Sequence, residues 1–434
     1  MVIRQDEHLA IRGGPPIVPT GLKRRWPDIR PEDKAAVLAV LDRGELTGVQ
    51  GVEATSLERE WAARLGVQHA VLFNSGTAAI HAALYAVGVE AGDEVITTAF
   101  SFSGTFQAIL HQAAIPVFVD IDPATYNLDP SLIEARITPR TKALLPVHIH
   151  GMPCDMDAIL EIARRHSLTV VEDAAQAHLA TYRDRYVGTL GRAGAFSVQA
   201  TKNLSGVEGG FVVTNDQEVA DRAREIRTYG ERIDEGDDLG GWYFRPYTAY
   251  SVGWNYRSNE LSAAFARSQL RRLDEYTEIA QRNGRLLNQA LGMIPGIAPP
   301  VEPTDRTSVF HKYRVRFDVQ RLGLSVPPVE FRARLMAALR AEGVDAVLWH
   351  TEPMTSYPIF QTHDGFGHGY PWSLAPGSGG VNPAEYRRAI DLLDSSLIIC
   401  DEVHPIMIQP VELMESYAAA FAKVLLDPGA LMAD

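Results

Sequence analysis

Short, continuous apolar runs alternate with helical patterns from residue 69 to residue 216, and this alternation narrows the choice of fold more than any other feature of the chain. The runs occupy 69–73, 93–100, 115–122, 141–149, 168–173, 193–198 and 209–216, with helical patterns at 74–88, 103–113 and 156–166 among them. A strand that is apolar at consecutive positions is buried on both faces. Strands alternating with helices build a mostly parallel sheet covered by those helices. An α/β fold with a mostly parallel central sheet is therefore expected.

The flanks read differently. Residues 1–30, with Gly13-Gly14-Pro15-Pro16, read as an irregular arm, and 31–66 as two helical stretches stopped at Gly44 and Gly66. Residues 259–291 form one long helical pattern that bridges toward a second unit. After Pro295 a strand (312–319), a helix and turn (328–346), a Gly-rich stretch (365–380) and a closing helix follow. The expected division is an arm at 1–30, a large domain at 31–275 and a smaller C-terminal α+β domain at 276–434.

Bulk properties remove several classes of function. A net charge of −13 argues against a nucleic-acid surface, while leaving room for a local pocket that takes a small anion. Two cysteines, Cys154 and Cys400, exclude a disulfide scaffold and a four-cysteine zinc site, and read as buried thiols in a reducing compartment. The N-terminus lacks the apolar stretch of a signal peptide, and no segment reaches the ~18 apolar residues of a membrane span. A cytoplasmic protein without membrane contact is expected.

Three segments carry chemistry. Asn74-Ser75-Gly76-Thr77 stands between an apolar strand and a helix, where free backbone amides and hydroxyls suit a phosphate or simply cap the helix. Asp173 ends a buried strand, at the edge where open α/β sheets bind ligands. It reads either as a helix cap or as a buried carboxylate needing a cation, such as a pyridinium nitrogen. Lys202 follows the strand that contains Ser197 and precedes the Gly-rich 206–210. It is either a surface lysine or a desolvated amine fit to attack a carbonyl, with Ser197 able to bind phosphate.

The motifs NSGTAA (74–79), EDAAQA (172–177), TKNL (201–204) followed by Gly209-Gly210, and GWNYRSNELSAA (253–264) resemble the DegT/DnrJ/EryC1/StrS aminotransferases, in the same order over most of residues 25–275. The resemblance implies the pyridoxal 5′-phosphate (PLP) fold-type I architecture and a homodimer with shared active sites. It implies transfer of an amino group from glutamate or glutamine to a ketone on a nucleotide-linked sugar or a cyclitol, often in antibiotic or cell-surface sugar biosynthesis. Matched by position, Lys202 is the Schiff-base lysine, Asp173 pairs with the ring nitrogen and Gln176 lies near the ring or its phenolic oxygen. Ser75, Gly76, Thr77 and Ser197 cradle the phosphate, Phe102 stacks on the ring, and Asn255 reaches the phosphate from the partner subunit. One lysine then serves as nucleophile, leaving group and general acid/base.

Two positions depart from the family pattern. Gln199-Ala200 stand where sugar-acting members have His-Pro, which looks more like members acting on cyclitols or making aminohydroxybenzoate, whereas Thr201-Lys202-Asn203 looks more like the sugar-acting group. Leu179-Ala180 stand where Gly-Ala is usual, and leucine at a glycine position is expected to alter the local backbone. Alternatives are a PLP-dependent lyase or aromatising enzyme of the aminohydroxybenzoate-synthase type and a non-catalytic partner subunit. Family dehydratases carry histidine in place of the lysine, so Lys202 argues against that branch. His148 and His150 read as structural or substrate-facing rather than metal-binding, and no metal is expected. Arg227 and Tyr229 are candidates for the pocket or the surface, Tyr313 and Arg314 for a strand facing the site, and 361–380 for a lid or binding element.

Overall fold

The computed structural model describes residues 8–47, 51–233, 248–378 and 380–432. The seven apolar runs form β1 (His69–Phe73), β2 (Glu94–Thr98), β3 (Ile115–Val119), β4 (Thr141–Leu145), β5 (Thr169–Asp173), β8 (Ala193–Ser197) and β9 (Gly210–Thr214). A short hairpin, β6 (Thr181–Tyr182) with β7 (Arg185–Tyr186), interrupts the series. The sheet order is β1-β9-β8-β5-β4-β2-β3. β8, β5, β4, β2 and β3 run parallel, and β9 is antiparallel to both of its neighbours. β9 reverses because only a loop separates it from β8; a parallel return needs a crossover, usually a helix.

Burial on both faces explains the unbroken apolar runs. Leu72, Val170, Phe196, Phe211 and Val213 pack in one cluster, whereas their strand neighbours Val71, Val171, Ala195 and Val212 pack in another. Each fully buried side chain of this size contributes about 1.5–3 kcal/mol. Helices α1 (Pro31–Arg43), α2 (Val52–Leu65), α3 (Gly76–Ala86), α4 (Gly104–His111), α5 (Met156–Arg165) and α6 (Gln217–Arg227) surround the sheet. Ser75, Asp155 and Asp216 cap α3, α5 and α6 by accepting from early amides of each helix.

The long pattern at 259–291 is two helices, α7 (Glu260–Leu270) and α8 (Leu273–Leu291). The break falls at Arg272, whose buried guanidinium binds Asp33 Oδ2 at 2.7 Å; no glycine or proline marks it. Beyond it, β10 (Ile297–Ala298), β12 (Tyr313–Phe317), β14 (Ser396–Ile399) and β13 (Ala346–Val347) form an antiparallel sheet in that order. The remaining short strand, β11 (Arg306–Thr307), pairs with β6. Buried residues of α8, α9 (Pro328–Ala341) and α12 (Val411–Val424) complete this second core. Val18 and Trp26 of the arm are buried in the same core.

Beyond β13, in a part of the chain that includes α10 (Pro358–Thr362) and α11 (Arg387–Asp394), Phe360, Trp372 and Leu392 pack against Phe106 and Phe118 at the β3 edge. No helix among the described residues is long and apolar enough to cross a membrane.

Candidate active site

Three strand ends meet at one rim of the central sheet. Phe73 of β1 and Ser197 of β8 both pair with Gly210 of β9, and Asp173 of β5 pairs with Ala195 of β8. Gly210 is required there, because a Cβ would lie 2.6 Å from the Ser75 carbonyl oxygen and 2.7 Å from that of Phe196. The rim opens into a cavity of about 380 Å³. Ser75, Gly76, Thr77, Phe102, Asp173, Gln176, Ser197 and Lys202 all line it. Asn255 does not: it is exposed on the surface of the chain, its carbonyl held by Asn74 Nδ2 at 3.2 Å.

At one side of the cavity α3 begins. Ser75 Oγ accepts from the Ala78 amide at 3.1 Å, so Ser75 caps α3, and the Gly76 and Thr77 amides, with no intrahelical acceptor, are left open to an anion. A Cβ at Gly76 would stand 2.6 Å from Ser197 Cβ, so glycine is what lets β8 and α3 close around this corner. Ser197 Oγ accepts from the Gln199 amide at 3.3 Å and keeps its own proton for a ligand. An anion suits this corner, with a helix N-terminus behind it.

Asp173 lies buried between two donors. Thr105 Oγ1 donates to Oδ2 at 2.8 Å and the Ala175 amide to Oδ1 at 3.1 Å. Burial raises its carboxyl pKa above the usual value, against the lowering pull of these hydrogen bonds and of Lys202. A carboxylate so placed is stabilised by a cation in the cavity. Thr105 is in turn oriented by Ser101, with their hydroxyl oxygens 2.9 Å apart.

Lys202 sits in the turn after β8. Its amide donates to the Gln199 carbonyl at 2.8 Å, and Gln199 Oε1 accepts from the Thr201 amide at 2.9 Å and hydroxyl at 2.8 Å. Gln199, at the position where the resemblance expects histidine, thus builds the turn that presents the lysine. Burial, and then the charge of Lys312, lower the Lys202 amine to about 8, against the opposing pull of Asp173 and Glu402. Gln176 is buried and accepts from the His150 amide at 2.8 Å through Oε1. Phe102 is 53 % exposed, its ring uncovered at the cavity wall. An anion cradle, a buried acid and a reactive amine around one cavity fit PLP, which brings a phosphate, a basic ring nitrogen and an aldehyde. Gly76 leaves the phosphate corner clear of side chain, Asp173 has an accepting lone pair to spare on each oxygen, and Lys202 is the amine.

Other expected positions fall elsewhere. Arg227 is buried against Glu58 Oε1 at 2.8 Å, and Tyr229 is exposed under Arg257, so neither lines the cavity. Tyr313 faces the second core and bonds Asn288 Oδ1 at 2.7 Å. Arg314 is buried on the Phe100 ring and donates to His150 Nε2 at 3.1 Å. His148 lies 3.0 Å from Glu172 and accepts from the Cys154 amide, which leaves both histidines tied into the fold. No described residue of 361–380 lines the cavity; that stretch packs on the sheet edge instead. Leu179 does not change the backbone to suit itself. It adopts φ 64°, the left-handed conformation that glycine would take at no cost, with its side chain buried.

Lys312, Trp349, His311 and Glu402 also line the cavity, all from beyond residue 300. A signal for Lys312 exists in the sequence, since alternation along 312–317 puts it on the same side as Arg314 and opposite Tyr313. Glu402 comes from a turn without any pattern.

The model of the DegT/DnrJ/EryC1/StrS aminotransferase family matches residues 27–371. Among relatives, a protein of Streptoalloteichus tenebrarius provisionally named an L-glutamine:3-amino-2,3-dideoxy-scyllo-inosose aminotransferase is 40% identical over 359 residues, covering 81% of this chain and 80% of its own. The spore coat polysaccharide biosynthesis protein SpsC of Bacillus subtilis is 38% identical over 343 residues, covering 78% and 85%. The crystal structure of DesV from S. venezuelae superposes with a TM-score of 0.77 at 33% identity, covering 92% of this chain and 98% of that one. With the cavity's chemistry and these likenesses agreeing, the chain belongs to the DegT/DnrJ/EryC1/StrS family and is a PLP-dependent aminotransferase of fold type I.

Proposed function

We propose that this enzyme moves an amino group from glutamate or glutamine to a ketone on a nucleotide-linked keto sugar or a cyclitol, in a cytoplasmic biosynthetic pathway. The observation that carries the reading is the convergence of Lys202, Asp173 and the α3 N-terminus on one cavity. The relatives named for an inosose aminotransferase and for spore coat polysaccharide synthesis support the acceptor class. Gln199 in place of histidine weighs toward a cyclitol.

When bound, PLP supplies an electron-withdrawing ring that takes up the electron pair left as the donor's Cα–H bond breaks. The residues around it have separable tasks. The Gly76 and Thr77 amides, with the Ser75, Thr77 and Ser197 hydroxyls, hold the phosphate. Asp173 keeps the ring nitrogen protonated, and Thr105 and the Ala175 amide hold that carboxylate in place. Phe102 covers one face of the ring. Gln176, with its oxygen committed to the His150 amide, presents its NH₂ group. With its pKa near 8, a useful fraction of Lys202 is neutral at physiological pH, so it attacks as a nucleophile. Once displaced, the same amine, lying on one face of the ring, would take the proton from the donor Cα and deliver it on that same face to the cofactor carbon it had been joined to.

We further propose a homodimer in which Asn255 of each subunit reaches the phosphate of the other, and a functional division into a PLP-binding unit at 31–275 and a smaller unit at 276–434. Single-turnover reaction with glutamate or glutamine tests the central claim. One 2-oxo acid per site is expected from the wild type and none from Lys202→Ala. Failure of every amino donor with PLP bound overturns it.

A further inference from the structure

Lys312 is an ammonium group held at the wall of the cavity by an acid that can leave. Its Nζ lies 2.9 Å from Glu402 Oε1 and 5.5 Å from the centre of the Trp349 ring. The two partners differ in how firmly the protein holds them. Lys312 is 8% exposed and rooted immediately before β12, whereas the Glu402 side chain is 51% exposed and rides on a surface turn. That turn is built by Asp401 Oδ1, which accepts from the Val403 amide at 2.9 Å and the His404 amide at 2.7 Å. Among the described residues Glu402 makes one polar side-chain contact, the one to Lys312.

A cation so deeply placed costs free energy without an anion. Its need is sharpened by Lys202, whose amine it depresses. A half-exposed carboxylate with a single contact, in contrast, loses little by turning out to solvent. Lys312 therefore requires a carboxylate at that point, and the protein does not insist on which one.

We propose that Lys312 binds the carboxylate of the amino donor, and that Glu402 is the placeholder that occupies this position until the donor arrives. The assignment rests on the transamination reading above. The source follows from bond counting. In an amino-acid donor the α-carboxylate is attached to the carbon that carries the reacting amine, so it must lie close to Lys202. The diphosphate of a nucleotide sugar is several bonds away from its ketone, and a cyclitol has none. The cofactor's phosphate is already provided for by α3. Exchange of one carboxylate for another at Lys312 also conserves charge in the cavity, so donor binding does not disturb the proton balance of Lys202. As the donor leaves as an oxo acid, Glu402 returns and prevents Lys312 from holding the product.

Calorimetric titration of the PLP-loaded enzyme with glutarate, which has the carboxylates but no amine to react, reads this directly. Lys312→Met should weaken glutarate about tenfold or more, the value of a charge-assisted hydrogen bond. Glu402→Gln, which removes the competitor, should tighten it severalfold. The double variant Lys312→Met/Glu402→Gln leaves neither partner unpaired and should bind glutarate as weakly as Lys312→Met. Unchanged binding in Lys312→Met or in the double variant overturns the assignment, and so does a loss in Glu402→Gln as large as in Lys312→Met. Uridine diphosphate is the second titrant: if Lys312→Met weakens it and spares glutarate, the residue reads the acceptor's phosphate and the proposal fails. Single-turnover reaction of the wild type with glutamate keeps the two readings apart. Absence of that reaction rejects transamination, whereas a wild type that reacts while Lys312→Met keeps its glutarate affinity rejects only the role of Lys312.

Discussion

The folded protein releases the Lys202 proton at about 8, while an ordinary lysine, as in the unfolded chain, holds it to 10.5. Between those values the unfolded state binds more protons, so stability rises with pH through that window. At pH 7 the folded, cofactor-free protein carries the full cost of the desolvated ammonium. Lys202→Met should therefore stabilise the cofactor-free protein at pH 7 by on the order of 1–3 kcal/mol and by less above pH 10.5, measured by urea unfolding at both pH values. A gain that is the same at both would place the effect in packing rather than charge. Asp173 is the opposite case, an acid whose charge is wanted. Asp173→Asn preserves size and keeps an oxygen for Thr105, yet removes the charge proposed to face the ring nitrogen. Loss of one partner from a buried pair costs about 3–5 kcal/mol, so kcat should fall by roughly 150- to 5,000-fold with the fold unchanged by circular dichroism.

Elements place these residues, and they do so through close backbone approaches. The β8–β9 rim and the start of α3 come together only because Gly76 and Gly210 lack side chains. Gly76→Ala should widen this corner, weaken PLP binding about tenfold or more, read as the dissociation constant for PLP, and cost the cofactor-free protein about 1–3 kcal/mol in urea unfolding. Behind β5 a buried acid does related work away from the cavity. Glu172 accepts from the Gly188, Leu190 and Gly191 amides at 2.8, 2.7 and 2.6 Å, holding the loop that leads into β8. Glu172→Ala orphans these three donors at 1–3 kcal/mol each and should cost at least about 3 kcal/mol in urea unfolding. The strands themselves were legible from residues 69–216, because burial on both faces demands unbroken apolar runs. The division of 259–291 was not, since Arg272 breaks it through a pairing with Asp33, 239 residues away in the chain.

At the scale of the whole molecule, the arm links the second core to the turn that carries Lys202. Trp26 packs edge-on against Tyr276, its ring centre 5.1 Å away, and donates from Nε1 to the Ala200 carbonyl at 2.8 Å, two residues before Lys202. Assembly is the larger question, and Asn255, exposed and outside its own cavity, gives the means to ask it. If Asn255 serves the partner's phosphate, refolding equal amounts of inactive Lys202→Ala and impaired Asn255→Asp should recover about a quarter of wild-type activity, because half of the dimers are mixed and each mixed dimer has one intact site. No recovery would mean that each subunit works alone.

Local chemistry was written in the chain. The strand order of residue types, the small residues before α3, the acid closing β5 and the lysine after β8 are all set within a few positions, because capping, strand ends and turns are short-range. Their convergence on one cavity was only implied, and it took the register of β1, β9, β8 and β5 to show which atoms meet. Lys312 and Glu402 show the limit most clearly. They stand 90 residues apart and more than 100 residues beyond Lys202. Alternation along 312–317 settles which side Lys312 takes and nothing local marks Glu402, and neither shows the cavity itself, since the contact depends on how the second core packs against the first, a sum over many buried side chains. Leu179 shows the reverse: its local preference argues against a left-handed backbone, and the burial of its side chain in the surrounding core outweighs that preference.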